Sequence, residues 1–164
     1  MEKIKGKVII LGNDVDTDQI LPGYAMSEPY ELIGNFALAG LPTDDFKDNR
    51  EPGCILVAGR NFGCGSSREQ APISLKQAEV ACIVAQGFAR IFRRNSINIG
   101  LPVFVADAVN ELKTGDIVEI DLEAGTVTGP NGVIQSNPLS ESVLKTLEYG
   151  GLIPRVRAEL GITD

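Results

Sequence analysis

The chain has 164 residues, 43% hydrophobic and 23% charged, with a net charge of −7. That length suits one domain with a real core, expected over residues 1–164. The acidic balance argues against nucleic acid, whose backbone calls for a basic surface, and no apolar run approaches the roughly 20 residues that cross a bilayer.

Along the chain, Gly6 to Leu11 reads as a strand that turns at Gly12-Asn13-Asp14. Asp14, Asp16 and Asp18 then fall on alternate residues. They resemble the start of a calcium loop, but its glycine and closing glutamate are absent. Capping and turn duty is the first reading for them, and support of a substrate pocket the second. Pro29 to Ala39 reads as a short helix and Gly40 to Pro52 as a polar loop. Cys54–Ala58 is an apolar strand, and Glu69–Ala78 a helix with Ala71, Leu75 and Ala78 at i, i+4 and i+7. Pro72 is tolerated there because it lies in the first turn.

Val80–Ala85 is a buried strand. Strand, helix and strand in this order predict a parallel βαβ unit with a right-handed crossover. Phe88 to Ile97 reads as a helix whose Arg90, Arg93 and Arg94 form a solvated face or a partner contact. Leu101–Val105 returns as a strand. From there the pattern turns to antiparallel β, over Ile117–Leu122, Thr126–Thr128 and Val133–Gln135. Asn137-Pro138 opens a C-terminal helix, and Gly150-Gly151 ends it. The fold class expected is α/β, with a parallel βαβ core and an added antiparallel β layer.

The first strand and helix of the βαβ unit flank Asn61-Phe62-Gly63-Cys64-Gly65-Ser66-Ser67-Arg68-Glu69. Glycines let the backbone turn tightly and bring N–H groups close to a ligand. Ser66, Ser67 and Arg68 then fall beside a helix N-terminus, where orphan N–H groups and the dipole favour an anion. This pattern suits a carboxylate or phosphate, with a nucleophile or base inside the site. A turn followed by a serine cap is the plainer reading. Arg68 weighs against it, because a cation there opposes the dipole unless an anion is near, although Glu69 can supply one. Nucleotide binding fits less well: there is no Gly-Lys-Ser/Thr ending, and the third glycine of the dinucleotide fingerprint is missing. At the carboxyl end of a parallel strand, the loop lies where open α/β sheets bind ligands.

The chain contains no histidine. An internal Ser-His-Asp or Cys-His nucleophile is therefore excluded, and activation of Ser66 must come from fixed positive charge, backbone donors or another chain. Cys54, Cys64 and Cys82 match no zinc or cluster spacing. Cys54 and Cys82 read as small buried hydrophobes, and Cys64 as a candidate reactive thiol. The chain is thus either a binding module or an incomplete enzyme. The opening Met1-Glu2-Lys3-Ile4-Lys5 lacks the layout of a secretory signal, so a cytoplasmic protein with no nucleic-acid or membrane partner is expected.

Three segments together resemble the swivelling β/β/α domain of the aconitase superfamily. They are Asp14-Val15-Asp16-Thr17-Asp18-Gln19-Ile20-Leu21-Pro22-Gly23, then Gly59 to Glu69, then Phe88-Ala89-Arg90-Ile91-Phe92-Arg93-Arg94-Asn95-Ser96-Ile97-Asn98-Ile99-Gly100-Leu101, in family order. As a free-standing chain of this size, the sequence is similar to the small-subunit family of 3-isopropylmalate dehydratases. The resemblance implies a hydro-lyase half-enzyme of leucine biosynthesis, inert alone, whose substrate is a small 2-hydroxy di-acid. It implies a large dehydratase subunit as partner, carrying a [4Fe-4S] cluster, with no cofactor or metal bound by this chain.

By position in the motif, the resemblance makes Ser66 the base, acting as an alkoxide on the proton alpha to a carboxylate. Ser67 and Arg68 would bind the substrate carboxylate, and Arg68 with the loop N–H groups would help to stabilise ionised Ser66. In related small subunits the loop after Pro-Gly selects the substrate's third substituent. Here it reads Gly23-Tyr24-Ala25-Met26-Ser27-Glu28, shorter and without arginine. Tyr24 and Met26 are therefore expected to receive an alkyl group. Isopropylmalate comes first, with dimethylmalate or methylmalate types next and a homoaconitate type disfavoured. Plain packing is the other reading of both side chains.

Overall fold

The computed structural model describes residues 1–162, so the expected domain span runs two residues beyond them. Strand β1 (Ile4–Ile10) changes partner half-way along. Val8–Ile10 pair in parallel with β2 (Ile55–Ala58), from Val8 opposite Ile55 to Ile10 opposite Val57. Ile4–Lys7 pair antiparallel with β5 (Ile117–Asp121), from Ile4 opposite Ile120 to Lys7 opposite Ile117. Beyond β2 lie β3 (Cys82–Ala85) and β4 (Val103–Val105), both parallel. Beyond β5 lie β6 (Thr126–Gly129) and β7 (Gly132–Gln135), both antiparallel. The order across the seven-stranded sheet is β4-β3-β2-β1-β5-β6-β7.

Burial explains why the two halves differ in pattern. Every residue of β2 and β3 is buried, as expected of parallel strands covered on both faces. In β5 only Val118 and Ile120 are buried, the alternation of a sheet with one solvated face. Helix α3 (Gln70–Gln77) forms the crossover from β2 to β3, and α4 (Arg90–Asn98) that from β3 to β4. Phe62 is wholly buried, edge-on to Phe92 of α4 at 5.3 Å and to Phe88 at 6.0 Å. Each such ring pair contributes about 0.5–1.5 kcal/mol beyond area burial. The Phe62 plug fixes the loop that follows β2 against α4.

Several elements differ from expectation, each for a local reason. The helix expected over Pro29–Ala39 is a 3₁₀ stretch, Tyr30–Phe36. Gly34 in its middle is pressed against Gln77, whose Oε1 accepts from the Gly34 N–H at 2.8 Å, and a Cβ at Gly34 would lie 2.5 Å from that of Gln77. Two short helices occupy segments read as turn or loop, α1 (Thr17–Ile20) and α2 (Asp45–Asn49). The C-terminal helix α5 (Glu141–Glu148) begins three residues after Pro138, because Ser140 caps it by accepting from the Val143 N–H at 3.2 Å. Gly150-Gly151 end α5 as expected, but a further helix follows, α6 (Leu152–Glu159). None of its residues is buried, although Leu152, Val156 and Leu160 fall at i, i+4 and i+8 along one face. No helix among the described residues is long and apolar enough to cross a membrane.

Candidate active site

The loop leaving β2 is pinned from two directions. On one side Phe62 N–H donates to the Gly87 carbonyl, and Ala89 N–H donates to the Phe62 carbonyl, both at 2.9 Å. On the other, Gly63 N–H donates to Val15 at 2.7 Å, and Thr17 N–H donates to Cys64 at 2.9 Å. The loop is thus stitched to the segment after β3 and to the segment after β1. Gly63 has φ +85°, and a Cβ there would overlap the Phe92 ring. Gly65 has φ +96°, and its bare Cα faces Thr17, whose Oγ1 would lie 3.3 Å from a Cβ. Both glycines are therefore required by conformation and by the close approach of a neighbour.

The three alternating aspartates divide the work around this loop. Asp16 caps α1 in a reciprocal box: its Oδ1 accepts from the Gln19 N–H at 2.8 Å, and Gln19 Oε1 accepts from the Asp16 N–H at 3.1 Å. Asp14, at φ +54°, makes a long contact of 3.5 Å with Arg60. Asp18 alone reaches the site, its Oδ1 lying 2.6 Å from Arg68 Nη1. The same Nη1 donates to the Leu21 carbonyl at 2.9 Å. The carboxylate that balances Arg68 is thus Asp18, an aspartate from the segment after β1. Among the described residues no group of three or more His, Cys, Asp or Glu is arranged to hold a metal ion, and the aspartates form no calcium loop.

Ser66, Ser67 and Arg68 line a cleft of about 410 Å³ together with Thr17, Arg90 and Arg94. No carboxylate lines it, and neither Arg90 nor Arg94 has an ion-pair partner among the described residues. In a chain of net charge −7, this is a concentration of positive charge at one point. Ser66 Oγ lies 3.2 Å from Thr17 Oγ1. The backbone N–H groups of Ser66 and Ser67 donate to no acceptor within the described residues, so they are available to a ligand at the entrance to α3. Arg68 spends Nη1 on Asp18 and Leu21, which leaves the Nε–Nη2 edge for a second carboxylate.

The structure thus gathers Ser66, Ser67 and Arg68 as expected and adds residues that the sequence did not mark. Arg90 and Arg94 read as a solvated face or a partner contact, although their i, i+4 spacing, across the helix from the buried Phe92 and Ser96, puts both on one side of α4. Tyr24 and Met26 lie on a 3₁₀ stretch, Gly23–Ser27, and do not line the cleft. They are 63% and 38% exposed, with Tyr24 edge-on to Phe36 at 6.0 Å.

None of the cysteines is a ready nucleophile. Burial pushes Cys82 up to about 12 and also raises Cys54. Cys64 is raised as well, by burial first and then by the negative charges of Asp16 and Asp14. All three are neutral thiols near pH 7. Cys54 is buried just before β2, Cys82 is buried in β3 and Cys64 is in the loop, so the three do not converge as an iron–sulfur ligand set.

The chain is similar to known proteins over nearly its whole length. Residues 39–107, which include the glycine loop and α4, match the aconitase C-terminal domain family. The isopropylmalate/citramalate isomerase small subunit of Methanocaldococcus jannaschii is 42% identical over 161 residues, spanning 96% of this chain and 95% of that protein. The 3-isopropylmalate dehydratase small subunit of Halothermothrix orenii is 42% identical over 160 residues, spanning 94% and 96%. A crystal structure of 3-isopropylmalate dehydratase from M. jannaschii superimposes with a TM-score of 0.89 and 38% identity, over 97% of this chain and 96% of that one.

Proposed function

The chain belongs to the small-subunit family of 3-isopropylmalate dehydratases, hydro-lyases of the aconitase superfamily that work with a large subunit, and on that premise we propose which residues do the chemistry and on what substrate. The reaction is the interconversion of 2-isopropylmalate and 3-isopropylmalate by dehydration and rehydration, a step of leucine biosynthesis in the cytoplasm. The chain acts as one swivelling domain that closes over the large subunit's active site.

Ser66 is the base. Its Oγ takes the proton from the carbon alpha to a carboxylate and returns a proton in the rehydration half. A serine hydroxyl ionises far above neutral pH, so this role demands a preorganised positive environment. Arg68, Arg90, Arg94 and the free N–H groups of Ser66 and Ser67 supply it around one cleft that no carboxylate lines. That convergence is the observation that carries the reading. Ser67 and the open edge of Arg68 hold the substrate carboxylate, and the paired donors of a guanidinium match its two oxygens.

The departure of the hydroxyl lies outside this chain. The [4Fe-4S] cluster implied by the family does not fit its three cysteines and belongs on the large subunit.

Substrate choice falls to Gly23–Glu28. Leu21, whose carbonyl Arg68 holds, lies two residues before this stretch, so the carboxylate anchor and the selecting loop are mechanically joined. The loop presents Tyr24 and Met26 and has no arginine, while Glu28 would repel a further carboxylate. An alkyl substituent suits it, isopropyl first. Smaller alkylmalates are the second reading, because the exposed Tyr24 and Met26 do not enclose a pocket of one size.

The test is reconstitution with the large subunit, following alkene formation from 3-isopropylmalate for the wild-type chain and for Ser66→Ala. The reading requires turnover only in the mixture and its collapse in the variant.

A further inference from the structure

Thr17 is 3% exposed, and its hydroxyl has one hydrogen-bonding neighbour among the described residues, Ser66 Oγ at 3.2 Å. A buried hydroxyl without a partner is costly, so this contact is the reason a polar residue is tolerated there. Its placement is fixed from both sides. The Thr17 N–H donates to the Cys64 carbonyl at 2.9 Å, and the Thr17 carbonyl accepts from the Leu21 N–H, also at 2.9 Å. The β-branched side chain leaves few rotamers, and Gly65 keeps the space beside Oγ1 open.

While Ser66 carries its proton, either hydroxyl can donate to the other. Once Ser66 has lost it, only Thr17 can. We infer that Thr17 is a positioning residue that donates its hydroxyl hydrogen to Ser66 Oγ and stabilises the ionised serine, an inference that rests on Ser66 being the base. Thr17 keeps its own proton throughout, and the substrate proton goes to Ser66. The two oxygens lie 3.2 Å apart, and a charged acceptor draws such a bond shorter. The neighbouring residue does the matching task for the carboxylate anchor, since Asp18 holds Arg68. The first turn of α1 thus carries Thr17 for the base and Asp18 for the arginine, with Asp16 capping the turn that presents both.

The experiment compares Thr17→Val, Thr17→Ser and Ser66→Ala in the reconstituted two-subunit enzyme, with kcat, KM and the pH dependence of kcat measured for each. Valine keeps the shape and removes the hydroxyl. The expected result is a fall in kcat of about 10- to 100-fold, with KM within about twofold and the acid limb of the pH profile displaced to higher pH. Thr17→Ser should recover most of the lost kcat. A Thr17→Val enzyme within twofold of wild type, alongside an inactive Ser66→Ala, would overturn the Thr17 role and leave the base assignment standing. Equal losses in Thr17→Val and Thr17→Ser with an unmoved pH profile would also overturn it, by marking the residue as packing alone. Near-normal turnover in Ser66→Ala would overturn both assignments.

Discussion

Arg68 Nη1 lies 2.6 Å from Asp18 Oδ1 while it donates to the carbonyl of Leu21 at 2.9 Å, so one guanidinium ties the glycine loop to the first turn of α1 and to its C-terminal cap. Asp18 is 69% exposed and Arg68 25%, which makes the pair a positioning device with little weight in overall stability. Lysine has one head group, so it can hold Asp18 or a substrate carboxylate but cannot hold both in a fixed plane. Arg68→Lys in the reconstituted enzyme should lower kcat/KM by about 100-fold, with the melting temperature of the chain unchanged within a few degrees. An activity within twofold of wild type would remove Arg68 from the carboxylate site.

Gly63 has φ +85° and no space for a side chain beside Phe92. Gly63→Ala must strain the backbone and displace the ring that packs on Phe62, a cost of about 2–4 kcal/mol. Denaturant unfolding should show it as a lower midpoint, and the variant should lose activity together with stability. A midpoint equal to that of the wild type would mean that the loop does not depend on this close approach.

Burial lifts the Cys82 thiol from 9.0 to about 12. The folded state therefore holds this proton more tightly than the unfolded state. Its contribution to stability is fully present below pH 9 and is lost as pH rises toward 12. Melting temperature should fall between pH 9 and pH 11. Cys82→Ala, although less stable at pH 7 because it leaves a gap in the sheet, should fall less steeply over that range. Parallel slopes for the two proteins would contradict the assignment.

The parallel half of the sheet was legible because Cys54–Ala58 and Val80–Ala85 are unbroken apolar runs bounded by turns, and these segments carry β2 and β3. The anchor of the cleft was legible too, since Ser66, Ser67 and Arg68 follow two glycines at the end of a strand. Its walls were not. Arg90 and Arg94 join the cleft only because Phe62 pairs with the segment before α4, a contact between distant parts of the chain that no local pattern encodes. Thr17 belongs to a helix of four residues whose position is set by the Cys64 carbonyl, so its role too depends on tertiary contact. Helix α6 does carry a helical pattern, Leu152, Val156 and Leu160 at i, i+4 and i+8, which the Gly150-Gly151 stop before it concealed.

The most direct test of the central claim, that Ser66 is the base of a half-enzyme completed by its large subunit, is alkene formation from 3-isopropylmalate after anaerobic reconstitution, followed by ultraviolet absorbance. Each subunit alone, the wild-type mixture and the Ser66→Ala mixture are compared. The account predicts absorbance growth only in the wild-type mixture, with the Ser66→Ala mixture still assembled but slower by at least about 1,000-fold. Turnover by the Ser66→Ala mixture at a rate near that of the wild type would contradict it.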